Sequence, residues 1–136
     1  MRWNYSMVLG KQYQKKIHSE DTGFDMRISK KGMWGKGIYF AVNASYSNHY
    51  AHKKTKSSSF FQKVTKQFFL AKVLVGDSIT MAHTDSLVRP PIKNTSQVLQ
   101  NQIILHDSVN GVTKGSKVYI IYQNDQAYPY YLITYR

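Results

Sequence analysis

The sequence predicts an α+β fold built mainly on an antiparallel sheet. Runs rich in β-forming residues outnumber the one stretch with helical character, they concentrate toward the C-terminus, and turn-forming residues separate them. With 136 residues the chain has the size of one domain, so we expect a single domain over residues 1–136.

The first half of the chain contains one predicted strand and one predicted helix. The glycine-rich turn at 32–37 leads into the β-rich run IYFA at 38–41. Residues 44–51 contain neither Gly nor Pro and follow Asn43, an acceptable N-cap, which predicts a short helix. The patch KKTKSSS at 53–59 predicts an exposed loop.

The second half contains mainly strands and turns. The prolines at 90 and 91 predict an extended or turned segment over 87–91. Asn110 followed by Gly111 predicts a turn, and 123–129 is turn-like. The predicted strands are 67–75 (QFFLAKVLV), a short one at 102–105, 117–122 (KVYIIY) and 130–135 (YYLITY).

Composition excludes several classes of site. The chain has no cysteine, which excludes disulfides, thiol nucleophiles and Cys-ligated zinc. His49 and His52 lack a nearby carboxylate pair, so we expect no metal site. No run approaches the ~20 apolar residues of a membrane span. We expect no membrane association and an intracellular location, in the nucleus or the cytoplasm.

The chain is strongly basic, with 19 Lys and Arg against 7 Asp and Glu and a formal net charge of +12. A solvated lysine-rich surface explains this charge without any ligand. The alternative is an anionic partner, such as nucleic acid or the phosphates of a nucleotide, which lysines in and after the 53–59 patch would contact. The lysines of this surface are Lys53, Lys54, Lys56, Lys63 and Lys66.

One constellation of side chains points to a ligand site. Tyr39 follows the glycine-rich turn, Ser47 comes eight residues later and Tyr50 three after that, on the same side of the predicted helix. Two aromatic rings and a hydroxyl are suited to clamping a flat heterocycle that bears an amide. The alternative interpretation is that both tyrosines are ordinary core residues.

A family resemblance covers the chain from about residue 23 to its end. GFD at 23–25, GKGIYFA at 35–41, ASYSNHY at 44–50, FFLAKVLVG at 68–76, LHDSVNG at 105–111 and VYIIYQNDQAYPYYLITY at 118–135 occur in this order. Together they resemble the catalytic domain of the poly(ADP-ribose) polymerase (PARP) family, and most closely that of the tankyrases and the mono-ADP-ribosylating members.

The resemblance implies an ADP-ribosyltransferase-like split antiparallel sheet with short flanking helices. It also implies binding of NAD⁺ as co-substrate, without a metal, transfer of ADP-ribose to an acceptor protein, and release of nicotinamide. By the resemblance, Tyr39 is the triad tyrosine that stacks on nicotinamide, Tyr50 is the second stacking tyrosine, Ser47 bonds the carboxamide and Ala41 lines the pocket. Gly10 is the candidate for the glycine whose backbone bonds the nicotinamide amide, although its spacing is two residues too long.

Two triad positions depart from the family pattern. The region expected to carry the family's His-Gly motif contains no histidine. From the resemblance we expect the N-terminal portion to be incomplete relative to the family. Val118 stands at the position of the triad glutamate. An aliphatic residue there is the mark of mono-ADP-ribosylating or inactive members. We therefore expect transfer of a single ADP-ribose, with a catalytically silent interaction or RNA-associated module as the alternative.

Overall fold

Strands dominate the part of the chain that a computed structural model describes, which comprises residues 23–58, 60–94, 102–136 and the backbone of 3–8. Within it, one α-helix, α1, spans Ala44–Asn48, and short 3-10 turns span Met26–Ile28 and Asn124–Gln126. The expectation that strands outnumber helices is confirmed. The strands are β1 (Trp3–Val8), β2 (Lys31–Gly32), β3 (Gly35–Lys36), β4 (Ile38–Ala41), β5 (His52–Ser58), β6 (Phe61–Leu74), β7 (Ser78–Thr80), β8 (Ser108–Thr113), β9 (Ser116–Ile121) and β10 (Ala127–Tyr135).

Eight of these strands form one sheet in the order β10-β6-β1-β4-β9-β8-β7, with β5 paired to β6, while β2 and β3 form a separate ribbon. Among the described strands only β7 and β8 run parallel. Among the described residues β1 and β4 pair at two positions, Met7 with Ala41 and Val8 with Phe40. Strand β1 thus lies between β6 and β4 in the sheet.

Each face of the sheet carries its own apolar core. Side chains alternate between the two faces along a strand. On β4, Ile38 and Phe40 point to what we call the Phe40 face, and Tyr39 and Ala41 point to the Tyr39 face. The buried core of the Phe40 face consists of Phe24, Ile38, Phe40, Ala71, Val73, Val75 and Ile121. The buried core of the Tyr39 face consists of Trp34, Ala41, Tyr46, Val109, Val118, Ile120 and Tyr122.

The glycine-rich turn before β4 depends on a glycine at position 35. Gly35 has a φ of 77°, a conformation that L side chains rarely adopt, and a Cβ there would collide with the backbone of Leu87. The next residue, Lys36, donates its backbone N–H to the Leu87 carbonyl over 2.9 Å. The turn is thus held against the 87–91 segment, which lies outside strands and helices as its prolines predict.

The prediction of a loop at 53–59 is wrong, because His52–Ser58 forms strand β5. Its backbone pairs antiparallel with the first half of β6, from His52 opposite Gln67 to Ser58 opposite Phe61. The lysines and Thr55 on this strand are exposed. The sequence therefore lacks the alternation of polar and apolar residues that marks a strand with one buried face.

The turn predicted at Asn110 and Gly111 is also wrong, because both residues lie inside β8. The hairpin between β8 and β9 turns at Lys114 and Gly115, whose φ angles are 46° and 73°. A two-residue loop with positive φ at both positions matches the right-handed twist of the flanking strands. Lysine is an uncommon residue at such a position.

Several element boundaries also differ from the prediction. The helix ends at Asn48, the predicted strand at 102–105 is limited to a single bridge between Leu105 and Ile92, and β10 begins at Ala127 within the supposed turn. The strand predicted at 38–41 is confirmed as β4 with the same ends. The strands predicted at 67–75, 117–122 and 130–135 are confirmed as β6, β9 and β10 with shifted ends.

Candidate functional site

The hydroxyl of Tyr39 is bonded to the glycine-rich turn. It donates to the carbonyl oxygen of Gly35 over 2.7 Å and accepts the backbone N–H of Trp34 over 2.9 Å. A Cβ on Gly32 would lie 2.7 Å from the ring of Tyr39, so the turn also closes over the ring. The phenol is thereby held in one orientation, and its side chain is only partly buried on the Tyr39 face.

Ser47 lies in α1 and is fully buried. Its hydroxyl donates to the carbonyl oxygen of Asn43 over 3.4 Å, which is long for such a bond. Among the described residues no group donates to this oxygen, and the hydroxyl is closed to solvent. Asn43 precedes the helix, as predicted, but its side chain makes no capping bond and instead donates to the carbonyl oxygen of Gly115 over 3.3 Å.

Tyr50 follows α1 in a tight turn in which its backbone N–H donates to the carbonyl oxygen of Ser47 over 3.0 Å. Residues three apart in such a turn lie on the same side of it, so Ser47 and Tyr50 are neighbours although the helix has ended. The side chain of Tyr50 is 41% exposed. It therefore presents an aromatic surface to solvent next to a buried hydroxyl.

Tyr46 supports Tyr50 from below. Their ring centroids lie 5.3 Å apart, and their hydroxyl oxygens lie 3.3 Å apart. Burial raises the pKa of Tyr46 to about 12, and the hydrogen bond with Tyr50 contributes to the increase. The buried phenol therefore stays protonated at neutral pH, and it fixes the position of the exposed one.

Val118 lies directly opposite Ala41 on β4 and Gly111 on β8. Val118 is 1% exposed and Ala41 is fully buried. Trp34 covers this row, because a Cβ on Gly111 would collide with its indole ring. The Trp34 side chain is itself anchored by a 3.0 Å hydrogen bond from Nε1 to the carbonyl oxygen of Met81. The wall of the site beside Tyr39 is thus apolar at the position of Val118.

Comparison with known proteins decides which family these residues belong to. The family model of the poly(ADP-ribose) polymerase catalytic domain matches residues 21–115, which include Tyr39, Ser47 and Tyr50. The chain belongs to the PARP catalytic-domain family. The predominance of strands over helices is consistent with the ADP-ribosyltransferase fold of this family, as the sequence motifs implied.

Curated relatives include both poly- and mono-ADP-ribosylating enzymes by name. A probable poly(ADP-ribose) polymerase of Dictyostelium discoideum is 39% identical over 90% of this chain and 30% of its own length. The protein mono-ADP-ribosyltransferases PARP11 and PARP12 of Mus musculus are 33% and 36% identical, over 82% and 75% of this chain. The chain spans 36% and 12% of those two relatives, a minor part of each.

The structure brings most of the predicted site residues together on the Tyr39 face. Tyr39 and Ala41 project from β4, Val118 projects from the adjacent β9, and α1 and its following turn place Ser47 and Tyr50 on the same side. Gly10 lies outside the described residues. The last described residue of β1, Val8, lies opposite Phe40 on β4.

Sequence reasoning missed Tyr46 and Trp34. Tyr46 was inconspicuous among 11 tyrosines, although it stands four residues before Tyr50, the spacing of neighbours on a helix face. Trp34 lies within the glycine-rich turn, where its role as the cover of Val118 depends on contacts between distant strands. No local signal in the sequence predicts those contacts.

Within 23–58, 60–94 and 102–136, no three His, Asp or Glu side chains are grouped so as to hold a metal ion. None of the helices described there is long and apolar enough to cross a bilayer.

Proposed function

We propose that this chain catalyses NAD⁺-dependent transfer of a single ADP-ribose to a protein acceptor, with release of nicotinamide. Membership of the PARP family supports ADP-ribosyl transfer. The observation that carries the restriction to one unit is Val118, a buried aliphatic residue beside the tyrosine site. The mono-ADP-ribosyltransferase names of several relatives agree with it.

The nicotinamide end of NAD⁺ fits the residues of the site. Tyr50 offers an exposed ring to one face of the heterocycle, and the partly exposed ring of Tyr39 offers a second surface. The Ser47 oxygen would accept a hydrogen bond from the carboxamide once the side chains that cover it move aside, because its only described bond is the long one that it donates to Asn43. Ala41 leaves room beside Tyr39, since a larger side chain would extend toward the ring.

The reaction breaks the bond between the ribose C1′ and the nicotinamide nitrogen, and nicotinamide departs with the electron pair. The cationic ribose then forms a bond to a nucleophilic atom of the acceptor, which gives its proton to solvent. Holding the leaving group in one orientation favours this step, because an oriented ground state has already lost the freedom that the transition state lacks. Val118 neither accepts a proton nor bonds a ribose hydroxyl, so an attached ADP-ribose is not activated for elongation.

We further propose the split α+β sheet of the family for the complete domain. The mainly antiparallel pairing of the described strands supports this proposal, and so does the packing of α1 near β1, β4 and β6.

The alternative is a silent module that binds partners and transfers nothing. It is favoured by one feature of the sequence, the lack of a histidine after β1 at positions 9–11. Histidine both donates and accepts hydrogen bonds, whereas Leu9 does neither through its side chain.

Nicotinamide release from labelled NAD⁺ tests the proposal. We expect release together with one labelled ADP-ribose per modified acceptor site.

Benzamide tests the pocket separately: it should raise the melting temperature, because it binds only the native state. Tyr50→Ala should abolish most of this shift, since stacking on an aromatic ring is typically worth ~1–3 kcal/mol. Tyr128→Ala, which removes an exposed tyrosine on β10, is the matched control.

The two readouts separate the hypotheses. A benzamide shift without nicotinamide release would favour the silent module. An undiminished benzamide shift in Tyr50→Ala would refute the assignment of the pocket.

A further inference from the structure

A basic groove lies on the surface formed by β5, β6 and β10. It has a volume of about 410 Å³. Four of its lining side chains are cationic, and no Asp or Glu is among them. The groove is lined by Lys54, Lys56, Lys63, Thr65, Gln67, Thr134, Tyr135 and Arg136.

The groove is separate from the tyrosine site. Ala71 and Val73 of β6 belong to the core of the Phe40 face, so Lys63 and Thr65, an even number of residues away on the same strand, project from that face. Lys56 lies opposite Lys63, and Lys54 lies opposite Thr65. Tyr39, Ser47 and Tyr50 belong to the other face of the sheet.

The cations of the groove are not neutralised by the described residues. The ion pairs found among the described residues of the chain join Asp25 with Arg27, Asp85 with Lys31, and Asp77 with Lys93 and His106. None of them includes a lysine of the groove. Lys56 and Lys63 are instead directly opposite each other, an arrangement of like charges that destabilises a strand pair. An anionic ligand would relieve this repulsion.

The neighbouring lysines of β5 and β6 provide an internal comparison. Lys66 projects from the Tyr39 face, and its Nζ donates to Oδ1 of Asn48 over 2.8 Å. The Tyr135 hydroxyl donates to the same oxygen over 2.8 Å. Lys66 therefore has a structural partner within the chain, whereas no hydrogen bond or ion pair is found for the side chains of Lys54, Lys56 and Lys63 among the described residues.

The shape of the groove fits one nucleic-acid strand. Three strands spaced ~4.8 Å apart give a floor about 10 Å wide, and lysines two residues apart on β5 repeat every ~7 Å. This width accommodates one phosphate backbone, whereas the two backbones of a B-form duplex are separated by a major groove ~12 Å wide. Phe60, which is 90% exposed, lies at the β5–β6 turn beyond Lys56 and Lys63.

We propose that this groove binds single-stranded nucleic acid, with Lys54, Lys56, Lys63 and Arg136 contacting phosphates and Phe60 stacking on a base. A cationic track with an aromatic platform at its end is the combination by which proteins bind single strands without reading their sequence. The proposal does not depend on catalysis, because the lysines of the groove project from the face opposite to the tyrosine site.

Fluorescence anisotropy with a labelled oligouridine of about 12 nucleotides, within the ~4–16 nucleotides of known single-strand sites, tests the proposal on the full chain. Each phosphate contact to a single strand changes log K by ~0.7 per decade of salt, which is about fivefold at 0.1 M. The double variant Lys54→Gln/Lys56→Gln should therefore bind about 25-fold more weakly and lose ~1.4 from the salt slope.

The matched control removes the same charge elsewhere. Lys53 is the neighbour of Lys54 on β5 but projects from the other face, and Lys30 is an exposed lysine far along the chain. Lys53→Gln/Lys30→Gln should keep most of the affinity. Equal losses in the two double variants would overturn the proposal, because binding would then follow net charge alone. Undetectable binding at 0.1 M salt would overturn it as well.

Phe60→Ala distinguishes a nucleic acid from other anions. It should weaken binding of oligouridine at least about fivefold through loss of stacking and leave binding of inorganic polyphosphate unchanged. The control for lost apolar surface is Val88→Ala, which should change neither. Displacement of oligouridine by polyglutamate as effectively as by unlabelled oligouridine would overturn the proposal in favour of an acidic protein partner. Tighter binding of a duplex would also overturn it.

The benzamide shift of the groove variants should match that of the unaltered chain. If the groove binds no nucleic acid, the proposed function is therefore not affected.

Discussion

The backbone N–H of Trp34 donates a 2.9 Å hydrogen bond to the hydroxyl of Tyr39, five residues further along the chain. The same hydroxyl donates to the carbonyl oxygen of Gly35. One phenol thus closes the turn that precedes its own strand. Its ring and its hydroxyl have different roles: the hydroxyl stabilises the turn, and the ring faces the candidate ligand site.

The Tyr39→Phe variant should therefore lose stability but keep most of its affinity for benzamide. The partly buried N–H of Trp34 loses its acceptor, which destabilises the fold by about 1–3 kcal/mol. Denaturant unfolding measures this change, and benzamide titration of the folded variant should show affinity close to that of the unaltered chain. Tyr128→Phe, at an exposed position on β10, should change the unfolding free energy by less than about 0.5 kcal/mol. A Tyr39→Phe variant as stable as that control would contradict the assigned role of the hydroxyl.

Stability should fall between about pH 10 and pH 12 because of Tyr46. Burial raises the pKa of its phenol to about 12 in the folded chain. An unfolded tyrosine titrates near pH ~10, so above that pH the unfolded state binds fewer protons than the folded state. Its free energy therefore falls relative to that of the folded state. One pKa unit corresponds to about 1.4 kcal/mol, which predicts a loss of about 1–3 kcal/mol across this window.

Tyr46→Phe isolates that contribution. The unfolding free energy of the variant, measured in urea, should depend less on pH between 10 and 12, because the buried ionisable hydroxyl has been removed. Burial also raises the pKa of Tyr122, so part of the alkaline loss should persist. Identical pH dependence in the two proteins would show that Tyr46 ionises freely in the folded state.

Strands with at least one buried face could be predicted from the sequence, and a strand exposed on both faces could not. In β9, Val118 and Ile120 are buried on one face and Ile121 on the other, so a continuous apolar run marks the strand. In β5 the stabilising contacts are backbone hydrogen bonds to β6, and these leave no signal in residue type. Asn110 and Gly111 were misassigned because Gly111 is required by the indole of Trp34 and not by a turn.

The candidate site was predicted from motif spacing, and its supports were not. Tyr39, Ser47 and Tyr50 stand at positions that a family pattern identifies. The Tyr46–Tyr50 pair and the cover that Trp34 forms over Val118 depend on tertiary packing. Residues that contact a ligand leave a recognisable pattern, whereas those that hold them depend on the rest of the chain.

Gly111→Ala should destabilise the domain through Trp34. The added methyl group collides with the indole ring, and overpacking of a filled core typically destabilises by ~1–3 kcal/mol. Trp34 fluorescence should shift as the ring moves. The double variant Gly111→Ala/Trp34→Phe should lose less free energy of unfolding than the sum of the losses in the two single variants, because the smaller ring leaves room for the methyl group. Strict additivity would show that the two residues do not share the contact.

The last prediction concerns Val118 and the length of the product. Val118→Glu places a carboxyl group in a position that is 1% exposed, beneath Trp34 and opposite Ala41. Burial should raise the pKa of the new group above its unfolded value of ~4.3, so the penalty should be small at pH 4 and grow toward pH 7, where the unfolded state has released its proton. Val118→Gln supplies the same volume without the charge and should show no such pH dependence. Val112→Glu, on the exposed side of β8, should change stability by less than about 0.5 kcal/mol.

Labelled NAD⁺ followed by a denaturing gel measures the product. We expect one unit per site from the unaltered chain, and no polymer from Val118→Glu, because positions 9–11 still lack the histidine of the family pattern. A ladder of long polymers from the unaltered chain would show that elongation proceeds without a carboxylate at this position.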